Sequence, residues 1–429
     1  MPKFFQKDRL ASACATLATL TGLLASVPAQ AVSLSQNGQG QVLLFPYYTV
    51  RGGNDTYLSL LNSSNVPTKV MVRFRASTNS VLVFDFELFL APHDQWTGGV
   101  TATADGAKLI SSDQSCTRQR IPASGLPFYV ARPGEGVLDI TREGSFEVFE
   151  LGEVKDPAMI AAISQAGGPP SCTWELSSAM APLGAFTGSL SGTATLINVA
   201  GGTQYSYEPV ALENFSNETF FTNDVTLDDA QPPISQVLDK GRVITSTWTR
   251  GVDAVSAVLM HASINNEFVL EPTTLSGTDW VVTLPTKNWY QWKPGAYLAP
   301  FAAGTCQYQL APYDVPYWSR EAESGNPEIQ FGTSPPATPV ICNDVSVLTF
   351  NNANLLGSIH GENLDTSLAN GWAEFKFEGE LVSLEGHRYK GLPVTGFMVH
   401  DFVNGNVGGL LSNYGGNFNH KYSTDIEAD

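Results

Sequence analysis

The stretch "KVMVRFRASTNSVLVFDFELFL", residues 69–90, decides the fold. Its first half sets Val70, Val72 and Phe74 on one side and Lys69, Met71, Arg73 and Arg75 on the other. After a polar turn, Leu82, Phe84, Phe86, Leu88 and Leu90 share one side while Asp85 and Glu87 point away. Successive side chains of an extended chain point to opposite faces, so this alternation marks strands resting one face on an apolar core. The short turn makes them antiparallel neighbours, whose charged face is expected to lie in water.

The pattern continues outward. Strands are predicted at 42–50 and 57–62, around the turn Arg51-Gly52-Gly53-Asn54-Asp55, and again at 192–199, 243–248, 254–261, 280–284 and 345–350. Phe375, Phe377, Leu381 and Leu384 suggest further strands. One helix is predicted over 157–166, with Asp156 as its cap, Pro157 in its first position and Gly167-Gly168 as its stop. The fold class is therefore all-β, an antiparallel β-sandwich of two packed β-domains with one short helix. The domains are expected at 32–200 and 234–429, joined by a boundary at 201–233 where turn residues and acids accumulate.

Residues 1–31 are read as an export signal. Lys3, Lys7 and Arg9 precede an apolar run, and Ala29-Gln30-Ala31 is a small-residue cleavage site. The formal charge is −18, and losing the leader removes three basic residues and one acid. So acidic a chain has no basic stripe for nucleic acid and no attraction to anionic lipid. No integral membrane span is expected in the mature chain, and the protein is placed in the periplasm, at the cell surface or outside the cell. Cys116, Cys172, Cys306 and Cys342 remain, an even number that favours disulfides in an exported protein. Three connectivities are open; pairing neighbours, 116 with 172 and 306 with 342, would tie down a long loop at 306–342.

Catalytic spacings such as H-E-x-x-H, G-x-S-x-G and phosphate-binding glycine loops are absent. The acids of Asp224, Asp228, Asp229, Glu213 and Glu218 follow no calcium-loop spacing and read as a solvated turn. Glu374, Glu378 and Glu380, at even separations, are expected on one face of a strand or hairpin, where paired carboxylates could serve a glycosidase. His400-Asp401 looks like a catalytic pair, but neighbours on a strand face apart. A two-residue turn at Asn404-Gly405 would put Gly409 opposite His400 and Gly408 opposite Asp401. The richest signal is aromatic. Trp289, Tyr290 and Trp292, with Tyr313, Tyr317 and Trp318, lie on proline-bearing segments either side of Cys306 and could offer flat faces to a ligand.

These observations predict a non-catalytic exported protein that binds a glycan or a surface protein, without metal or other cofactor. An uncovered sheet edge would also allow self-assembly. The alternatives are a secreted carbohydrate-active hydrolase and an outer-membrane β-barrel.

Overall fold

A computed structural model describes residues 30–78, 80–131, 137–164, 183–220, 224–291, 315–325 and 343–428. The quoted stretch forms strands Thr68–Ala76 and Leu82–Leu90, antiparallel, with Val70 opposite Leu88 and Phe74 opposite Phe84. They belong to a seven-stranded sheet that runs Ser33–Leu34, Val210–Glu213, Val42–Thr49, Glu143–Glu153, Thr68–Ala76, Leu82–Leu90, Cys116–Thr117. A six-stranded sheet packs on one face of it, built from Thr203–Tyr207, Leu190–Asn198, Asp55–Asn62, Gln95–Ala102, Ala107–Ile110 and Leu126–Pro127. Between the two, Phe45 stacks on Phe146 at 4.1 Å and Phe86 meets Trp96 at 5.3 Å. The all-β sandwich read from the alternation is the architecture of the protein.

The second face of the seven-stranded sheet departs from expectation. It was expected in water, yet Lys69, Arg73, Glu87 and Glu147 are all buried. The charges are neutralised by neighbours at 2.6–2.9 Å: Lys69 and Arg118 on Glu87, and Arg75 on Glu147. Burying a charge is costly unless it is paired and hydrogen-bonded, and here opposite charges on adjacent strands supply the pairing. What covers this face is a second core, in which Val42, Leu44, Met71 and Phe149 meet the helix Gly251–Val258, Trp280, Phe350 and Met398. Both large cores draw on residues from either side of 201–233.

That stretch itself carries strands Thr203–Tyr207 and Val210–Glu213, one in each of the first two sheets. Beyond it, a third sheet runs Gly361–Leu364, Val345–Phe350, Gly277–Thr283, Thr395–Val407, Leu410–Asn419. A fourth runs Ser324–Gly325, Tyr317–Trp318, Asn370–Lys376, Ser263–Val269, Lys421–Ser423.

Two helix readings need correction. The capped helix exists, with Asp156 Oδ1 accepting from the N–H groups of Ala158 and Met159, but it spans Pro157–Ile163 and stops at Ser164. Residues 254–261, read as a strand, instead contain most of the helix Gly251–Val258, followed by the short strand Met260–His261. Every residue of that helix is buried, so no polar face exposes its period, and the β-branched valines mimic a strand. Among the described residues no helix is long and apolar enough to cross a membrane.

Candidate functional site

The strand Asn370–Lys376 organises the outer face of the fourth sheet. Ala373 and Phe375 point into the core, so Trp372, Glu374 and Lys376 point out. Trp318 is the direct cross-strand partner of Trp372 on the edge side, and Glu267 is its partner on the inner side. The two indoles stack with centroids 4.1 Å apart and planes 17° from parallel, and Trp372 is 43% exposed. Gly371 makes this edge pairing feasible, since a Cβ there would lie 2.1 Å from the Trp318 carbonyl oxygen. Asn265 lies opposite Glu374 and Lys421 opposite Asn265, so the indoles border a face rich in amide, carboxylate and ammonium groups.

The other predicted aromatics divide. Tyr290 is 2% exposed and donates its hydroxyl to Asp253 at 2.9 Å, while Tyr317 is also buried and Trp289 packs partly buried against the second core. Trp292 and Tyr313 lie outside the described residues, as do Cys172, Cys306 and Cys342 and most of the loop 306–342. Cys116 is buried against Phe89, Val154, Met159 and Ile163. Trp372 gives no cluster signal in the sequence, because it is the single tryptophan of "ANGWAEFKF". The alternation Trp372, Glu374, Lys376 was the available signal.

The carboxylates of 374–380 do not share one strand. Their strand ends at Lys376, and Glu380 sits on Glu380–Val382 in a separate small sheet, held by Arg388 at 2.7 and 2.8 Å. Glu374 accepts from the Ser263 hydroxyl at 2.8 Å. Two of the acids near 224–229 are structural: Asp229 caps the turn through Thr226 at 2.7 Å, and Asp228 accepts from Val252 N–H at 3.2 Å. Among the described residues no group of three or more metal-binding side chains converges.

His400 and Asp401 face apart, as a strand requires. Asp401 Oδ1 accepts from Gly277 N–H at 3.0 Å, and burial pushes its carboxyl up. His400 lies between Phe402 and Phe418 at 5.2 and 5.8 Å, its imidazole pushed down by burial against the opposing charge of Glu267. The turn, however, is not at Asn404-Gly405. Those residues form a bulge, Gly405 N–H bonding to the Asn413 side chain at 3.0 Å, and the reversal comes at Gly408-Gly409, both left-handed. The residues opposite are consequently Gly416 for His400 and Gly415 for Asp401. Gly415 admits the neighbouring strand Thr203–Tyr207, because a Cβ would lie 2.7 Å from the Tyr205 ring. Asn413 and Asn417 then clasp that strand through Gly201 O at 2.8 Å and Ser206 N–H at 3.1 Å.

The resulting surface is aromatic and polar. Trp318 and Glu267 flank Trp372 on the fourth sheet, while the half-exposed Phe418 lies beside His400 on the third. Comparison of the chain with protein-family models, with curated proteins and with solved structures gives no match.

Proposed function

We propose that this is an exported binding protein whose ligand is a glycan, held on the outer face of the fourth sheet. The observation that carries the reading is the exposed Trp318–Trp372 stack beside Glu267, Asn265 and Lys421. Sugar rings present apolar C–H faces and a rim of hydroxyls, and indoles with neighbouring amides and charges match both. The disulfides and export route expected from the sequence suit a protein that works outside the cytoplasm. Open sheets packed as a sandwich favour this reading over a membrane barrel.

A glycan array followed by titration calorimetry tests it, with Trp372→Ala and Trp318→Ala as variants. Each should weaken binding by about tenfold or more, the scale of losing a central aromatic anchor. Failure to bind any glycan, or binding unchanged in both variants, refutes it.

One observation favours the hydrolase as second reading. Glu267 and Glu374 sit at diagonal positions on adjacent strands and share the outward face, so two carboxylates stand on the face that carries the indoles, as a glycosidase requires. Hydrolysis of the bound glycan that disappears in Glu267→Gln would establish it; binding without turnover would exclude it.

A further inference from the structure

The closing hairpin leaves one sheet edge open. Edges are normally guarded by brevity, charge, proline, a bulge or a covering element, because each presents unpaired N–H and carbonyl groups. Most edges of the four large sheets follow that rule. Ser33–Leu34, Cys116–Thr117, Leu126–Pro127 and Ser324–Gly325 are two residues long, while Lys421–Ser423 and Gly361–Leu364 are three and four. The edge Thr203–Tyr207 is capped: Asn417 Oδ1 accepts from Ser206 N–H at 3.1 Å, and its Nδ2 donates to Ser206 O at 2.5 Å. The remaining edge, Leu410–Asn419, is ten residues long and carries neither charge nor proline.

Among the described residues, no backbone N–H or carbonyl from Leu411 to Asn417 bonds to anything beyond its own hairpin. The bulge at Asn404-Gly405 falls on the inner strand and does not guard the outer one. Leu410, Tyr414 and Phe418 share one face, opposite Val407, Phe402 and Met398, and all three are exposed. The other face is held to Gly201 and Ser206 by Asn413 and Asn417, which steadies the strand and leaves its edge open. Residues 402–419 contain no Asp, Glu, Lys or Arg, in a chain of formal charge −18.

So acidic a chain repels its own copies over most approaches, and the neutral edge is where two of them can meet. We infer that Leu410–Asn419 pairs antiparallel with the same strand of a second copy of this chain, merging two five-stranded sheets into one of ten strands. The two-fold axis of such a pair is normal to the sheet and keeps each side chain on its own face, so opposed residues are both even-numbered. Centred on Tyr414, the pairing sets Tyr414 against Tyr414 of the second copy and Leu410 against its Phe418. The exposed apolar groups then cover one another, as the cross-strand pairs that stabilise a sheet do. A strand from another protein would need the same neutral, apolar spacing, which a second copy supplies by symmetry. The inference is independent of the glycan-binding reading, since neither Trp318 nor Trp372 lies on this strand.

The test is sedimentation velocity on the exported protein from about 5 μM to about 500 μM, since pairing along one strand belongs to the small, weak class of interface. A monomer–dimer equilibrium should appear, with amides of residues 410–418 gaining protection from hydrogen exchange as concentration rises. Tyr414→Lys and Tyr414→Glu, at an exposed position, each set like charges face to face on the axis and should weaken the dimer by about tenfold or more. Mixing the two variants opposes unlike charges and should restore a dimer of one copy of each. The exchange measurement on the unaltered protein carries the test if either variant fails to fold. A monomer at every concentration, a dimer whose 410–418 amides are unchanged, parental affinity in both variants, or a mixture no tighter than either variant alone would overturn the inference.

Discussion

Lys287→Met should be among the most damaging single changes in this protein, and its effect should depend on pH. Lys287 Nζ lies 2.8 Å from Asp344 Oδ1, with side chains 1% and 3% exposed. The second oxygen of Asp344 accepts from Ser80, in the turn of the 69–90 stretch, so the pair joins the first sandwich to the third sheet. Removing the ammonium strands a carboxylate inside the protein, which costs about 3–5 kcal/mol in comparable cases. With a urea slope of about 3 kcal/mol per molar or more for a chain this size, the unfolding midpoint should drop by about 1 M. Burial already pushes the Asp344 carboxyl up while Lys287 pulls it back, so the variant raises it further. A carboxyl whose folded pKa lies above its unfolded value favours the fold below that unfolded value, and this contribution is lost as pH rises through the folded pKa. The destabilisation should therefore be larger at neutral pH than in mild acid. Adding Asp344→Asn should recover part of the loss, because the double variant buries no charge. A Lys287→Met protein within about 1 kcal/mol of the parent at neutral pH, or a double variant no better than the single, would refute the reasoning.

Other consequences are equally open to measurement. Replacing Gly408 and Gly409 together by alanine should cost about 2 kcal/mol or more of unfolding free energy, since both are left-handed, whereas Asn404→Ala should cost well under 1. Equal losses would restore the turn to Asn404-Gly405. Burial pushes His261 down to about 4, so the stability it contributes is complete above its unfolded pKa, near 6.5, and is lost as pH falls toward 4. Over that window His261→Phe should show a pH slope of unfolding free energy shallower by up to about 1.4 kcal/mol per pH unit, read from urea titrations. The stacked indoles should give an exciton couplet in far-ultraviolet circular dichroism that vanishes in Trp372→Ala with the fold intact; a couplet that persists would show the pair is not as close as 4.1 Å.

The elements legible in the sequence were those in which one residue type reports one environment. Val70, Val72 and Phe74 alternate with charges, and they are strand residues in the sandwich core. Asp156 and Pro157 mark a helix start wherever they stand together, and they start one here. Legibility failed where burial removed the contrast. Gly251–Val258 has no wet side to show a period, and Lys69, Arg73 and Glu87 look like surface residues because pairing across strands is invisible in a linear pattern. The hairpin failed for a different reason. Asn404-Gly405 and Gly408-Gly409 are both good left-handed pairs, and the choice is made by contacts with Asn413 and the strand Thr203–Tyr207, some 200 residues away in sequence. The site was half legible: Trp318 was read, but its partner became significant only once Tyr317–Trp318 was laid beside Asn370–Lys376.

The same packing explains why the candidate site lies on elements beyond the first sandwich. The seven-stranded sheet is covered on both faces, so its strands have little freedom and little surface to offer. Among the described residues the fourth sheet is covered on one face only, leaving Trp372, Glu374 and Glu267 as an outward row on a backbone fixed from behind by Phe375 and Ile264. Recognition needs groups that are both exposed and held still, since ordering a floppy side chain on binding costs about 0.5–1.5 kcal/mol. A cross-strand indole stack meets that requirement. Tyr414 and Phe418, on the outer strand of the closing hairpin, are open to water, but that strand is held through Asn413 and Asn417 on its opposite face. Phe418 lies on the third sheet and Trp372 on the fourth, so Phe418→Ala should leave glycan binding at the tryptophan pair unchanged in calorimetry, and a loss of about tenfold or more would extend the site to the third sheet.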